Sequence, residues 1–188
     1  MSTQVKTHPN GVNVEQLVQT VKAIKDNPGL AQFRFRASSK WLNGGHSRTT
    51  VQGFYGAGQE DTSRTKPFVL EGDEPAVLLG NDAGPNAVES VLQALASCLT
   101  VGFVYNAAAQ GITVKSLEFD LEGNVDLHGF LGLSEDVRPG YAGIHLTYRT
   151  DCDAPPEKVA ELWAHVKKTS PVLDILTNPV PVTIAEAN

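Results

Sequence analysis

The sequence predicts an α+β fold, and two observations carry that prediction. Strands come in meander groups instead of alternating one for one with helices. One long helix, over residues 87–109, is apolar on nearly every face, so other elements should surround it. The predicted element order is α-βββ-α-ββ-α-α-β. A chain of 188 residues suits one well-packed domain, or one domain with an appendage.

After a polar tail, NVEQLVQTVKAIKDNPG reads as an amphipathic helix. Asn13 serves as N-cap, Leu17, Val18, Val21 and Ile24 form one stripe, and NPG stops it. AQFRFRASSKW alternates Phe33, Phe35 and Ala37 against Gln32, Arg34 and Arg36, the pattern of a half-buried strand. NGG at 43–45 marks a turn, and HSRTTVQGFYG continues as the hairpin partner. KPFVLEGDEP supplies a third strand ending near Gly72, and LLGNDAGPNA is a breaker-rich loop.

In the long helix Val88, Val91, Leu92, Leu95, Leu99, Gly102 and Phe103 recur at steps of three and four. Small residues (Ala94, Ala96, Ser97, Gly102) would let a second helix approach closely, and Gly111 reads as its C-terminal stop. Cys98, one of two cysteines, sits within it.

ITVKSLEFDLEGNVDL then places Ile112 and Val114 in one phase and Leu117, Phe119 and Leu121 in the other, which predicts a bulge or bend. HGFLGLSEDVRPG is a loop with an apolar tip at Phe130, Leu131 and Leu133. That tip either folds back over a sheet edge or forms a pocket wall or dimer contact. YAGIHLTYRTD alternates through Ile144, Leu146 and Tyr148 as a strand. PPEKVAELWAHVKK is an amphipathic helix with Val159, Leu162, Trp163 and Val166 inward. SPVLDIL reads as a short helix and VPVTIAE as a closing strand.

Composition excludes several function classes. The formal net charge is −6 and the basic residues are scattered, which argues against a nucleic-acid surface. No apolar run is expected to approach the roughly 20 residues that cross a bilayer, so no membrane partner is expected. The N-terminus lacks an apolar signal core, and a cytoplasmic location is expected. Two cysteines 54 residues apart make neither a disulfide framework nor a zinc site, and the five histidines lack metal-binding spacing. GxGxxG, P-loop and GxSxG motifs are missing from the sequence, so neither a metal nor another cofactor is expected.

Three segments, NAVESVLQALASCLT, SPVLDIL and PVTI, together with the strand order, resemble the OsmC/Ohr family of thiol-dependent hydroperoxide reductases. The resemblance runs from Phe33 to Ile184. It leaves residues 1–28 as an N-terminal helical extension and 29–188 as the OsmC-like domain. It implies an intertwined homodimer in which antiparallel sheets wrap two long central helices, with active sites where the subunits meet. It also implies that Cys98 is the reactive thiol.

Two departures accompany the resemblance. The family's second cysteine opens a CPV segment, and here that segment is SPV, so Ser170 occupies the resolving position. The family's carboxylate ten residues before the thiol, which orients an activating arginine, is replaced by Val88. Glu89, about 180° around the helix from Cys98, is a poor substitute. Arg48, in the second strand, is the candidate arginine.

The residues themselves leave two readings of Cys98 open. A thiolate is the nucleophile, and a free cysteine with pKa near 8.5 is only a few per cent ionised at neutral pH. A neighbouring cation favours reaction; apolar burial and mid-helix placement, away from the positive N-terminus, do not. Ser170 before Pro171 has a structural task as a helix cap, and no base is in evidence to make it a nucleophile. Cys152, between Asp151 and Asp153, is disfavoured as a replacement resolver because nearby negative charge opposes a thiolate.

The functional expectation is a single-cysteine, peroxiredoxin-like reductase of organic hydroperoxides that uses an external thiol reductant. The alternative is a redox-inactive dimer of the same fold that binds a small apolar ligand.

Overall fold

The structure, a computed structural model, describes residues 8–187. It is mixed α and β with antiparallel strand pairing throughout the described residues, as the meander grouping predicts. The described residues divide into two compact units: residues 15–91, and residues 8–14 together with 92–187.

The first unit takes in most of α1 (Val14–Asp26) and a three-stranded sheet of β1 (Ser38–Asn43), β2 (His46–Val51) and β5 (Phe68–Gly72), in the order β1-β2-β5. A small hairpin, β3 (Phe54–Gly56) with β4 (Gln59–Asp61), stands apart from that sheet. The predicted strand AQFRFRASSKW forms a ladder only at its end, where Ser38–Trp41 belong to β1, and residues 33–37 do not join it. Only an isolated bridge between Arg34 and Tyr55 pairs them. Their phenyl groups cluster instead: Phe35 and Phe54 lie with ring centroids 5.6 Å apart, and Phe33 stacks on Phe35 at 5.9 Å. Gly56 makes room, since a Cβ there would sit 2.2 Å from the Phe33 ring.

After β5, the buried Asp73 carboxylate accepts backbone N–H groups from Glu74 at 2.9 Å, Asn81 at 3.0 Å and Ala83 at 3.2 Å. One side chain therefore satisfies the amides of the breaker-rich loop that sequence patterning leaves without regular structure.

The second unit holds most of α2 (Ala87–Ala109), the hairpin β6 (Val114–Gly123) with β7 (Ile144–Cys152), and the helices α3 (Leu127–Phe130), α4 (Pro156–Thr169) and α5 (Pro171–Thr177). Its core joins Leu95, Leu99, Phe103 and Ala107 of α2 to Leu162, Trp163 and Val166 of α4. Leu117, Phe119, Leu121, Ile144 and Leu146 of the hairpin pack against that cluster. Trp163 is its hub, with ring centroids 4.1 Å from Tyr148, 4.6 Å from Phe103 and 5.8 Å from Phe119.

Two local expectations hold closely. Gly111 ends α2 in the left-handed region, with φ +72°, and the Ile112 N–H returns to the Ala107 carbonyl at 2.9 Å. The phase shift in β6 is a bulge: Val114 pairs with Cys152 and Ser116 with Asp151, so Lys115 is the extra residue. Asn10 is fastened to this point, donating to the Ile112 carbonyl at 2.9 Å and accepting the Val114 N–H at 2.8 Å.

Three expectations need correction. VPVTIAE is not a strand: it pairs with nothing among the described residues, and Val182 and Ile184 are exposed. Alternation specifies an extended backbone, whereas a strand also needs a neighbour to complete its ladder. The apolar loop contains the short helix α3, and its tip does not fold back, because Phe130, Leu131 and Leu133 are 70, 59 and 68% exposed. Finally, α2 is long and apolar enough, by length and composition, to cross a membrane. In this fold its Leu95, Leu99 and Phe103 stripe is the core of a compact unit, while Gln93, Ser97, Val101 and Tyr105 face outward.

Candidate thiol site

Cys98 stands near the middle of α2, partly buried, one residue before the core Leu99 and three after the core Leu95. It therefore flanks the buried stripe and does not belong to it. Opposite lies the junction of α4 and α5, formed by the single residue Ser170. Cys98 Sγ and Ser170 Oγ are 3.1 Å apart, although 72 residues separate them in sequence.

The register of the two helices explains this meeting. One turn beyond Cys98, Gly102 faces Val166, which lies one turn before Ser170; a Cβ on Gly102 would come within 3.1 Å of Val166 Cγ1. Phe103 and Trp163 touch at the same level. Steps forward along α2 match steps backward along α4, so the two helices run antiparallel. The glycine lets them close, and the end of α4 then delivers Ser170 to the thiol. Sequence patterning assigns Gly102 to contact with a second helix, and here that helix belongs to the same chain.

Ser170 is only 6% exposed and is the N-cap of α5. Its Oγ accepts the Leu173 N–H at 3.3 Å, and Pro171 occupies the first helical position, where its missing N–H costs nothing. The capping reading of SPV thus has its hydrogen bond. What sequence patterning leaves out is that the same oxygen also reaches Cys98.

Arg48 is already engaged. Antiparallel register sets it across from Glu71, and its Nε donates to Glu71 Oε1 at 2.7 Å. His46 Nε2 lies 2.9 Å from Glu71 Oε2, so one carboxylate holds both basic side chains. These contacts hold the Glu71 carboxyl below the usual carboxylate range, with His46 the larger cause and Arg48 the second. Neither His46 nor Glu71 stands out in the sequence; only the strand register brings them to Arg48.

Val88 lies in the first turn of α2, whose acidic residue is Glu89. Glu89 is occupied elsewhere. Its Oε2 accepts the Asn86 N–H at 2.8 Å, while Asn86 Oδ1 accepts the Glu89 N–H at 2.9 Å. That reciprocal pair is a capping box, and it gives Glu89 a structural role. Cys152 ends β7 as a free thiol packed against the core, and Ser170, not Cys152, lies within hydrogen-bond reach of Cys98. Flanking Cys152, Asp151 pairs with Lys115 at 3.2 Å and Asp153 accepts the Thr113 N–H.

Residues 80–185, which include α2, the hairpin, α4 and α5, match the family model described as OsmC-like protein. The chain belongs to the OsmC-like protein family. Solved structures of the same fold are distant in sequence. An OsmC-like protein from Mycoplasma pneumoniae superposes with a TM-score of 0.57 at 18% identity, covering 78% of this chain and 89% of that one. A putative osmotic stress induced and detoxification response protein from Psychrobacter arcticus gives 0.54 at 12%, covering 73% and 85%. An organic hydroperoxide resistance protein OsmC from Legionella pneumophila gives 0.52 at 15%, covering 79% and 92%. No curated protein matches this chain in sequence. The family and fold inferred from NAVESVLQALASCLT, SPVLDIL and PVTI are therefore shown.

Proposed function

We propose that this OsmC-like chain is a single-cysteine thiol peroxidase that reduces organic hydroperoxides. The observation that carries the reading is Cys98, a free and partly buried thiol on the long helix of an OsmC-like fold, against the serine that ends the neighbouring helix. The Cys98 thiolate attacks the distal oxygen of ROOH. An S–O bond forms, the O–O bond breaks, and the departing alkoxide takes up the thiol's proton as ROH. The product is a sulfenic acid. A hydroxyl at position 170 forms no disulfide, so an external thiol condenses with the sulfenic acid and releases water. A second external thiol then displaces the mixed disulfide and restores Cys98.

Such a cycle belongs in a reducing compartment, and we place the protein in the cytoplasm. Arg48, held by Glu71, is the proposed activating cation. A homodimer is the proposed working form. One equivalent of cumene hydroperoxide should leave sulfenic acid on the Cys98 peptide, visible by mass spectrometry after dimedone trapping, and Cys98→Ser should abolish peroxide consumption. An unmodified Cys98 with peroxide unconsumed overturns the reading.

A second reading is a redox-inactive dimer that binds a small apolar ligand. The exposed Phe130, Leu131 and Leu133 favour it. The pH profile of Cys98 alkylation discriminates the two: a midpoint below about 7 favours the peroxidase, and one at about 8.5 or above favours the binding module.

A further inference from the structure

The Cys98–Ser170 contact implies more than the loss of a resolving thiol. Ser170 Oγ already accepts the Leu173 N–H at 3.3 Å. A serine hydroxyl has one proton to give and two lone pairs to receive. With one lone pair committed to the cap, the hydroxyl proton is still free to point at Cys98 Sγ, 3.1 Å away. Both ends of this arrangement are fixed by the fold. Ser170 is almost wholly buried, and its position is set by the α5 cap and by the close approach of Gly102 and Val166 one turn away.

We infer that Ser170 is a positioning residue for the thiol, donating its hydroxyl proton to the Cys98 sulfur when that sulfur is ionised. This deepens the peroxidase reading and rests on it. In the neutral thiol either atom can donate, and both bonds are weak, because sulfur is a poor donor and a poor acceptor. In the thiolate only the serine can donate, and the bond becomes charge-assisted. The interaction is therefore stronger in the ionised form, and it favours the state that attacks peroxide. The Leu173 N–H, by polarising Oγ, reinforces the donation. Serine at this position thus replaces the second half of the redox cycle with support for the first.

The test compares Ser170 variants that separate capping from donation. Glycine caps a helix nearly as well as serine but carries no hydroxyl. Threonine keeps both the cap and the donor. Alkylation of the Cys98 peptide by iodoacetamide, followed by mass spectrometry across pH, gives a midpoint for each protein. Ser170→Gly should raise that midpoint, leaving less thiolate at any pH well below it. Ser170→Thr should stay at the wild-type value. Ser170→Ala should shift the midpoint as Ser170→Gly does, and it serves if the glycine variant does not fold. A Ser170→Gly or Ser170→Ala midpoint equal to wild type overturns the inference and leaves Ser170 as a cap alone. The comparison does not depend on peroxide. Failure of Cys98 to be oxidised by cumene hydroperoxide would remove the peroxidase reading while the alkylation series still decided the role of Ser170.

Discussion

Ser170 Oγ sits 3.1 Å from Cys98 Sγ while accepting the Leu173 N–H, so one hydroxyl is at once the start of α5 and the neighbour of the thiol. The antiparallel register of α2 and α4, with Gly102 against Val166, holds the two residues together. Any change at position 170 therefore acts on both the helix and the chemistry. Loss of the cap alone costs about 0.5–2 kcal/mol.

The first prediction reverses the departure at that position. Ser170→Cys places a second sulfur where Oγ lies, and a closing movement of about 1 Å brings the pair to disulfide length. With one equivalent of cumene hydroperoxide, Cys98 should be oxidised and then condense with the introduced thiol, releasing water. Free-thiol titration should fall by two per chain, and non-reducing digests should show the Cys98 peptide disulfide-linked to the peptide that carries the substitution. Two free thiols after peroxide is consumed would show that the sulfurs cannot meet.

The core beside the site makes a second prediction. Phe103 is fully buried between α2 and the Trp163 cluster. Phe103→Ala should destabilise the protein by about 3–5 kcal/mol, because it removes apolar contact and leaves a cavity. Gly102→Val should cost about 1–3 kcal/mol by forcing α2 and α4 apart. It should also lengthen the Cys98–Ser170 contact, and the midpoint of Cys98 alkylation should then move in the same direction as in Ser170→Gly. Urea unfolding at fixed protein concentration measures the loss of stability in both variants. Unchanged stability in Gly102→Val would mean the helices approach less closely than 3.1 Å at Val166 implies.

Much of this site is legible where the signals are local. Gly111 and the phase shift at Lys115 announce a helix stop and a bulge within a few residues, and both are present. SPV announces a cap, and Ser170 caps. What is not legible depends on neighbours distant in the chain. Alternation at Phe33–Ala37 and Val180–Ile184 states which way side chains point, and says nothing about whether a ladder partner is present. The Glu71 contact to Arg48 follows from strand register, and the Ser170 contact to Cys98 from helix register. The periodicity of Leu95 and Leu99 marks them correctly as buried, but what buries them is α4 of the same chain.

The acid limb of stability gives a third prediction. Asp73 is held below the usual carboxylate range mainly by the Glu74 N–H, then by those of Ala83 and Asn81. Glu71 is held low by His46 and Arg48. A carboxylate with a depressed folded value contributes stability that is fully present above its unfolded value, near pH 4, and lost as pH falls through the folded value. Urea midpoints should therefore drop on acidification below about pH 4. Asp73→Asn should lower the neutral-pH midpoint and flatten that drop, since an amide oxygen cannot accept all three N–H groups while staying uncharged at every pH. An acid limb of wild-type steepness in both Asp73→Asn and Glu71→Gln would assign the effect to other carboxylates.

The last prediction concerns assembly. Leu95 and Leu99 are already covered within the chain, so they are not the surfaces that would sense a partner. The outward stripe of α2 is Gln93, Ser97, Val101 and Tyr105, with Val101 53% and Tyr105 46% exposed. Elsewhere the chain leaves Trp41, Phe68, Val69 and Leu70 exposed on the β1-β2-β5 sheet, and Val182 and Ile184 on an unpaired segment. Consecutive residues of β5 point to opposite faces, so both faces of that sheet carry uncovered apolar surface. The proposed intertwined dimer would bury such surface in an interface that commonly exceeds about 2,000 Å². Folding and association are then coupled, and the urea midpoint should rise with protein concentration. Val101→Asp and Tyr105→Asp should lower that midpoint far more than exposed residues of a monomer would, and should remove its concentration dependence in any fraction that stays soluble. Sedimentation should give twice the 20.1 kDa chain mass at micromolar concentration. A folded monomer under those conditions, with both aspartate variants neutral, would rule out the intertwined dimer and leave Cys98 and Ser170 as a site complete within one chain.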